Sequence, residues 1–301
     1  MLYYSMIKYS INDLEKITGI KAHTIRMWEK RYGIVTPKRT STNIRYYLDE
    51  DIKKLLNICT LRKYGVKISE VRNMKTEEIN EKVVELASSG ISEDYETTIN
   101  SLLVSMIGLN EDSFGKIITD SILKIGFEKT IVLIIYPFLE KIGILWQVGS
   151  IIPAQEHFIS NLIRQKLILA IVAQRKITQK YAKTFLLFLP DEELHEIGLL
   201  FYNYLLNKYG HKVIYLGQNT PFEDLIKTQE IMNADFLLTH LVTASVPYKS
   251  CEYIENLSRT FPEKTIFVTG KQACNQKEDT PENVFIIKNT DDFKEMLNHY
   301  I

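Results

Sequence analysis

The chain has 301 residues and is 45% hydrophobic and 25% charged, a size that predicts two or three domains and a composition that excludes collagen-like, low-complexity and wholly disordered chains. Its longest uninterrupted apolar run, Ile131 to Leu139, contains Pro137 and ends at Glu140, well short of the roughly 20 residues that span a bilayer, so no membrane association is expected. The zero net charge hides a polarity: residues 1–75 hold 16 Lys and Arg against 7 Asp and Glu, and the rest 21 against 30, a +9 head on a −9 body.

Such a head suits a nucleic-acid-binding module joined to a different domain, because neutralising phosphates supplies most nonspecific affinity. The N-terminus has no basic segment feeding an apolar one, which makes the cytoplasm the expected location. Cys59, Cys251 and Cys274 stand far apart with no CxxC spacing and read as ordinary thiols rather than a disulfide framework or a zinc site.

In chain order, Ser10 followed by Ile11, Leu14 and Ile17 predicts a capped helix that Gly19 ends, and a second helix runs from Ala22 to about Arg31. Helix, glycine-containing turn and polar helix are the order of a helix-turn-helix, whose second helix enters the major groove. A basic, turn-rich loop over 37–47 suits a wing against phosphates, and 49–64 resumes a helical pattern. Trp28-Glu29-Lys30-Arg31-Tyr32-Gly33, Pro37, Arg39-Thr40 and Arg45-Tyr46-Tyr47 with Asp51 resemble the winged-helix head of the mercury-resistance (MerR) type of bacterial regulator over about residues 6 to 75. The resemblance implies a double-stranded DNA operator as partner, with Thr24, Arg26 and Arg31 toward the major groove and Arg39, Arg45 and Tyr46 on the backbone. Packing between helix and wing is the expected role of Trp28 and Tyr32. Asn43-Ile44 departs from the glycine and bulky residue usual at the wing tip.

Residues 76–90 are charged and end in Ser-Ser-Gly, which predicts a connecting helix and linker. Apolar residues then recur at helical spacing in four segments up to about 178, the last two near 128–145 and 154–175, predicting a four-helix bundle. A Trp and a Glu-His pair stand on either side of a break at Ser150 to Pro153. Taken alone they could plug and cap the bundle; as a pattern, Trp146, nine residues, then Glu156-His157 resembles the helical cap of adenosylcobalamin-binding photoreceptor regulators. There the tryptophan covers the adenosyl group and the Glu-His pair lines the upper face of the corrin.

From Thr184 short buried strands alternate with helices: Phe185–Leu189, Val213–Leu216, Phe236–Leu241, Ile266–Val268 and Val284–Ile287. This predicts a Rossmann-like (flavodoxin-like) parallel sheet over 179–301, with ligands beyond the carboxyl ends of its strands. In the loop after the first strand, one nitrogen of His195 can face a metal while a carboxylate fixes the other. Glu193-x-His195-x-x-Gly198 matches the lower-ligand motif of cobalamin-binding domains, with glutamate for the commoner aspartate, and Gly217-Gln218-Asn219-Thr220-Pro221 resembles that family's G-x-x-T-P turn. Where the family has a glycine pair that lets the nucleotide tail of the cofactor pass, this chain has Thr269-Gly270. The serine or threonine expected near the third strand's end is Thr239 or Thr243, and Thr243 joins the candidate set.

Together these resemblances imply a multidomain α and α/β regulator that is not an enzyme: a winged helix-turn-helix head (1–75), a linker (76–90), a four-helix cap (91–178) and a cobalamin domain (179–301). Adenosylcobalamin would bind with His195 as ligand to its cobalt and hold a homotetramer on an operator until light cleaves the cobalt–carbon bond. The alternative is the same fold responding to cobalamin level, another small molecule or a partner protein. A cobalamin-dependent methyltransferase or mutase is disfavoured, because no length remains for a substrate barrel.

Overall fold

Local capping chemistry starts the fold where the sequence expects it. The Ser10 hydroxyl accepts from Asp13 N and the Asp13 carboxylate from Ser10 N, opening α1 (Ile11–Thr18), and Gly19 closes it at φ +73°. The computed structural model describes residues 8–88, 95–147, 151–174, 182–243, 250–273 and 280–300. Its contacts group into two compact units, Met1–Leu162 and Ile163–Ile301. The expected boundaries near 90 and 178, Ser150 of the predicted break, and Cys274 lie outside the described residues.

In the first unit, α2 (Ala22–Tyr32) buries Ile25 and Trp28, and the Arg62 guanidinium lies 5.2 Å from the Trp28 ring. Tyr32 is half-buried. The wing is a two-stranded antiparallel ribbon, β1 (Lys38–Arg39) and β2 (Arg45–Tyr46). Asn43 takes the left-handed conformation at φ +66° that glycine commonly supplies, and Thr40 N bonds Ile44 O at 2.9 Å across the tip. Asparagine tolerates that region better than other side chains, so the ribbon closes without a glycine. Next, α3 (Asp49–Lys63) is the spine of the unit, with Ile52, Leu55, Leu56, Ile58 and Leu61 fully buried.

After the short α4 (Ile68–Val71) comes α5 (Thr76–Ser88), where a connecting helix and linker are expected. It packs on α3: Ile79 and Val83 are buried, and Asn57 of α3 donates to Asn80 Oδ1 at 2.7 Å. Glu77, Glu78 and Glu81 are exposed, so the helix is amphipathic over its described side chains. The helices α6 (Tyr95–Ile107) and α7 (Glu111–Ile125) follow, then a long helical segment that is not uniform: α8 (Phe127–Thr130), one wide π turn over Ile131–Ile135, and α9 (Tyr136–Gln147). The wide turn ends two residues before Pro137, which has no N–H to donate and whose ring crowds the carbonyl four residues back. Phe114 and Phe138 meet at 5.8 Å in the core of these helices, and α6 joins α3 through the Lys63–Glu96 ion pair. Cys59 lies at this junction, where burial pushes its thiol up to about 11, so it is an unreactive thiol.

The helix α10 (Pro153–Ala173) runs across the division of the chain. The second unit holds β3 (Thr184–Phe188), α11 (Ile197–Lys208), β4 (Lys212–Gly217), α12 (Phe222–Met232), β5 (Phe236–His240), α13 (Ser250–Thr260), β6 (Thr265–Thr269), β7 (Val284–Ile287) and α14 (Thr290–Tyr300). The five strands form one parallel sheet in the order β4-β3-β5-β6-β7. Both faces are covered, so β3 reads as an unbroken apolar run: Phe185, Leu186, Leu187 and Phe188 are all fully buried. On one face Leu186, Phe188, Leu237, Leu241 and Val268 pack with Leu257 of α13. On the other, Phe185 stacks on Phe236 at 4.8 Å, and Phe267 meets Phe293 of α14. The order reverses between β3 and β5, which opens the crevice where such sheets take ligands.

Candidate functional site

The loops leaving β3 and β5 meet at this switch point. The Glu193 side chain is fully buried there, which taken alone opposes its charge, yet its carboxylate accepts from every side. His195 N (3.0 Å), His195 Nδ1 (2.6 Å) and the Thr243 hydroxyl (3.0 Å) donate to Oε1, and Val242 N (3.1 Å) and Thr243 N (2.8 Å) to Oε2. Burial raises the pKa, but the hydrogen bonds from His195 and Thr243 outweigh it and hold the carboxyl down at about 2. A carboxylate ionised at neutral pH therefore holds the Nδ1 side of an imidazole that is itself 61% exposed. With the proton on Nδ1, the lone pair of Nε2 is the one presented to a metal. The Thr243 hydroxyl also lies 3.0 Å from His195 Nδ1, whereas the Thr239 hydroxyl is buried without a hydrogen-bond partner among the described residues.

The turn after β4 braces the same loop. Asn219, at φ +52°, accepts from Glu192 N at 2.9 Å and donates its own N–H to Glu193 O at 3.2 Å, and Gln218 Nε2 donates to Leu194 O. Thr220 N bonds Leu189 O at 2.9 Å, and Gly217 turns at φ +83°. Asn219 escaped the sequence reading because only the G-x-x-T-P frame around it carries a pattern. Gly198 lies under the imidazole of His240: a Cβ there would stand 2.4 Å from its Nε2. His240 also hydrogen-bonds the backbone of His195, and burial lowers its pKa to about 4, keeping the ring neutral. A polar residue ending the otherwise apolar inward series Phe236, Leu238 was the signal available for it. Gly270, at φ +101°, is pressed against Leu241, whose carbonyl oxygen a Cβ would approach to 2.3 Å. Beside it the Thr269 and Tyr202 hydroxyls are 3.2 Å apart.

A second feature the sequence did not single out adjoins the loop. Glu196 is buried against Arg164 Nε of α10 (2.7 Å) and accepts from the Tyr215 hydroxyl (2.8 Å). Ile168, Ile171, Val172, Leu200 and Asn203 complete a cleft of about 210 Å³ around them.

In the first unit, Trp146 ends α9 half-exposed, and His157 Nδ1 stands 2.9 Å from Glu156 Oε2 in the first turn of α10. Gln155 is buried, its Oε1 accepting from Ile152 N at 3.2 Å. In the head, Arg26 and Arg31 are exposed on α2, and Thr24 is half-buried. Arg45 Nε lies 3.5 Å from Glu29, and the Lys8 ammonium stands 5.0 Å from the Tyr46 ring centroid. Arg39 donates to Asn43 O (3.2 Å) and Oδ1 (2.8 Å), bracing the wing tip from within.

Residues 9–78 match the family model for MerR HTH family regulatory proteins and residues 98–170 the model for a B12 binding domain. The chain is 30% identical over 233 residues to the HTH-type transcriptional repressor CarH of Myxococcus xanthus, covering 76% of this chain and 77% of that protein. The chain belongs to this family of MerR-type, B12-binding transcriptional repressors. CarA, a second HTH-type transcriptional repressor of Myxococcus xanthus, is 26% identical over 87% of this chain and 86% of its own length. Among solved structures, the monomethylamine corrinoid protein of Methanosarcina barkeri superposes with a TM-score of 0.53 at 11% identity, covering 65% of this chain and 95% of that one, a likeness of fold. Family membership makes the chain a DNA-binding, B12-binding transcriptional regulator. The donor set at the switch point fits that cofactor: a single carboxylate-backed imidazole suits cobalt, which arrives with its equatorial positions filled by the corrin.

Proposed function

We propose that this chain is a light-responsive repressor that binds adenosylcobalamin, with His195 as the lower ligand to cobalt, and that its assembled form, a homotetramer, holds the operator. The observation that carries the reading is Glu193, whose ionised carboxylate accepts from His195 Nδ1 at 2.6 Å and leaves Nε2 as the ligating nitrogen. When bound, the cofactor supplies a cobalt–carbon bond that light can cleave. This chain's residues do the rest. Glu193 and Thr243 fix the imidazole, Gly198, Gly217, Thr220 and Gly270 shape the loops around it, and Trp146, Glu156 and His157 cover the adenosyl side. Thr24, Arg26 and Arg31 read the operator, and Arg39, Arg45 and Tyr46 contact its backbone. A ligand bound only by the assembled form stabilises it, and loss of the contacts at Trp146 and Glu156 removes that stabilisation.

The test is an absorption spectrum of the protein with adenosylcobalamin in darkness and after green light, with size-exclusion chromatography and operator binding alongside. A corrin spectrum that changes irreversibly, with loss of the larger species and of operator binding, is the expected result. His195→Ala should not retain the corrin, and Trp146→Ala should retain it with an impaired light response. A light-insensitive corrin complex would favour the second reading, a regulator responding to corrinoid level. Its support is Thr269, whose hydroxyl meets Tyr202 where the family keeps an open glycine.

A further inference from the structure

Taking His195 as the lower ligand has a geometric consequence for the rest of the corrinoid. Cobalamin carries its own base on a nucleotide tail that hangs from the lower edge of the macrocycle. With the lower position of cobalt taken by His195, that tail must lie on the same side, against the carboxyl ends of the strands. Gly198, Gly217 and Gly270 are the candidate positions there that lack side chains, and each already faces atoms of this chain. Over Gly270 stands the main chain of Leu241, whose N–H is tied to Thr269 O at 2.7 Å. Over Gly217 stands the Tyr215 ring, 3.2 Å from where a Cβ would be and tethered through its hydroxyl to Glu196 at 2.8 Å. Over Gly198 stands the His240 imidazole, with Nε2, Cε1 and Cδ2 at 2.4, 2.5 and 2.9 Å from a Cβ position.

The three obstructions differ in kind. Main chain cannot swing aside, and the tyrosine is anchored at its far end. His240 is tied to the backbone of His195, while its Nδ1 is buried with no hydrogen-bond partner among the described residues. A buried, unsatisfied ring nitrogen is costly, so this imidazole has less to lose by moving than either neighbour.

We propose that His240 sets the corrinoid specificity of this chain: its ring fills the slot over Gly198, so a corrinoid with a nucleotide tail must displace it and a tailless one need not. The proposal rests on the cobalamin reading above. It is tested by titrating the full-length apo-protein in darkness with adenosylcobalamin and with adenosylcobinamide, which lacks the tail, following the corrin absorption. His240→Ala, which empties the slot, is expected to raise the ratio of cobalamin to cobinamide affinity at least about tenfold, chiefly through cobalamin. His240→Leu loses the same hydrogen bond to His195 but keeps the volume, and its ratio should stay within about twofold of wild type. A merely structural role would shift both ligands and both variants together. An unchanged ratio in His240→Ala, or an equal rise in His240→Leu, overturns the proposal. His240→Ser serves in place of alanine if circular dichroism shows that variant unfolded. Failure of the wild type and every folded variant to take up either corrinoid would instead remove the cobalamin reading, and the proposal with it.

Discussion

Gly198→Ala is the sharpest structural perturbation this site offers. The added methyl carbon would lie 2.4, 2.5 and 2.9 Å from three atoms of the His240 ring, against an ordinary carbon contact of about 3.5 to 4.0 Å. The ring must therefore retreat by about 1 Å or more, out of its bond to the His195 backbone, in a region where overpacking costs about 1 to 3 kcal/mol. Alanine gains up to about 1 kcal/mol over glycine within a helix, but Gly198 is only the second residue of α11, so part of that gain is realised. The net expectation is a loss of about 1 to 2 kcal/mol in urea unfolding, with a Tm lower by a few degrees. The cause is tested by combining it with His240→Ala: the double variant should recover most of the loss, a coupling on the order of 1 kcal/mol or more. A Gly198→Ala protein as stable as wild type, or a loss that persists undiminished without the His240 ring, would refute the steric argument.

Glu193→Gln replaces one of two accepting oxygens with a donor facing main-chain N–H groups, so corrin affinity in a spectroscopic titration should fall about 10- to 100-fold while the head still binds operator DNA. Acid unfolding should proceed in two windows. His211, buried, and His240, half-buried with its Nδ1 enclosed, have lowered pKa values, so the stability of keeping them neutral is present above about pH 6.5 and is lost as pH falls from there, for His240 down to about 4. The depressed carboxyl of Glu193 adds stability above its ordinary range near 4.5, lost as pH falls toward 2. Thermal melts between pH 7 and 3 read both, and His240→Leu should flatten the first. In the wing, Asn43→Gly should leave operator affinity unchanged, whereas Asn43→Val, a branched side chain at φ +66°, should weaken it, as measured by anisotropy with labelled DNA.

Much of this was legible because burial and periodicity agree. Each of the five strands appears within a residue or so of its apolar run, since a sheet covered on both faces keeps most polar residues to the strand ends. The Glu193-x-His195 motif announces its chemistry because both residues sit in one loop. What stayed hidden depends on partners far along the chain. Nothing in the local sequence decides between Thr239 and Thr243, which differ in whether a side chain reaches Glu193, fifty residues back. The same is true of Arg164, whose partner Glu196 lies beyond a strand, and of His240, whose neighbour is a glycine. The π turn was hidden because Pro137 alone predicts a disturbance but not its form.

The saturated carboxylate of Glu193 also constrains which acid this position can hold. Aspartate is the commoner residue at this position in cobalamin-binding domains, yet here the longer side chain is what lets one carboxylate reach both its own loop and the main chain at 242–243. Shortening it by one carbon would leave the N–H groups of Val242 and Thr243 without that acceptor. In this chain the exchange of glutamate for aspartate is therefore not a neutral step: it is coupled to the path of the loop after β5.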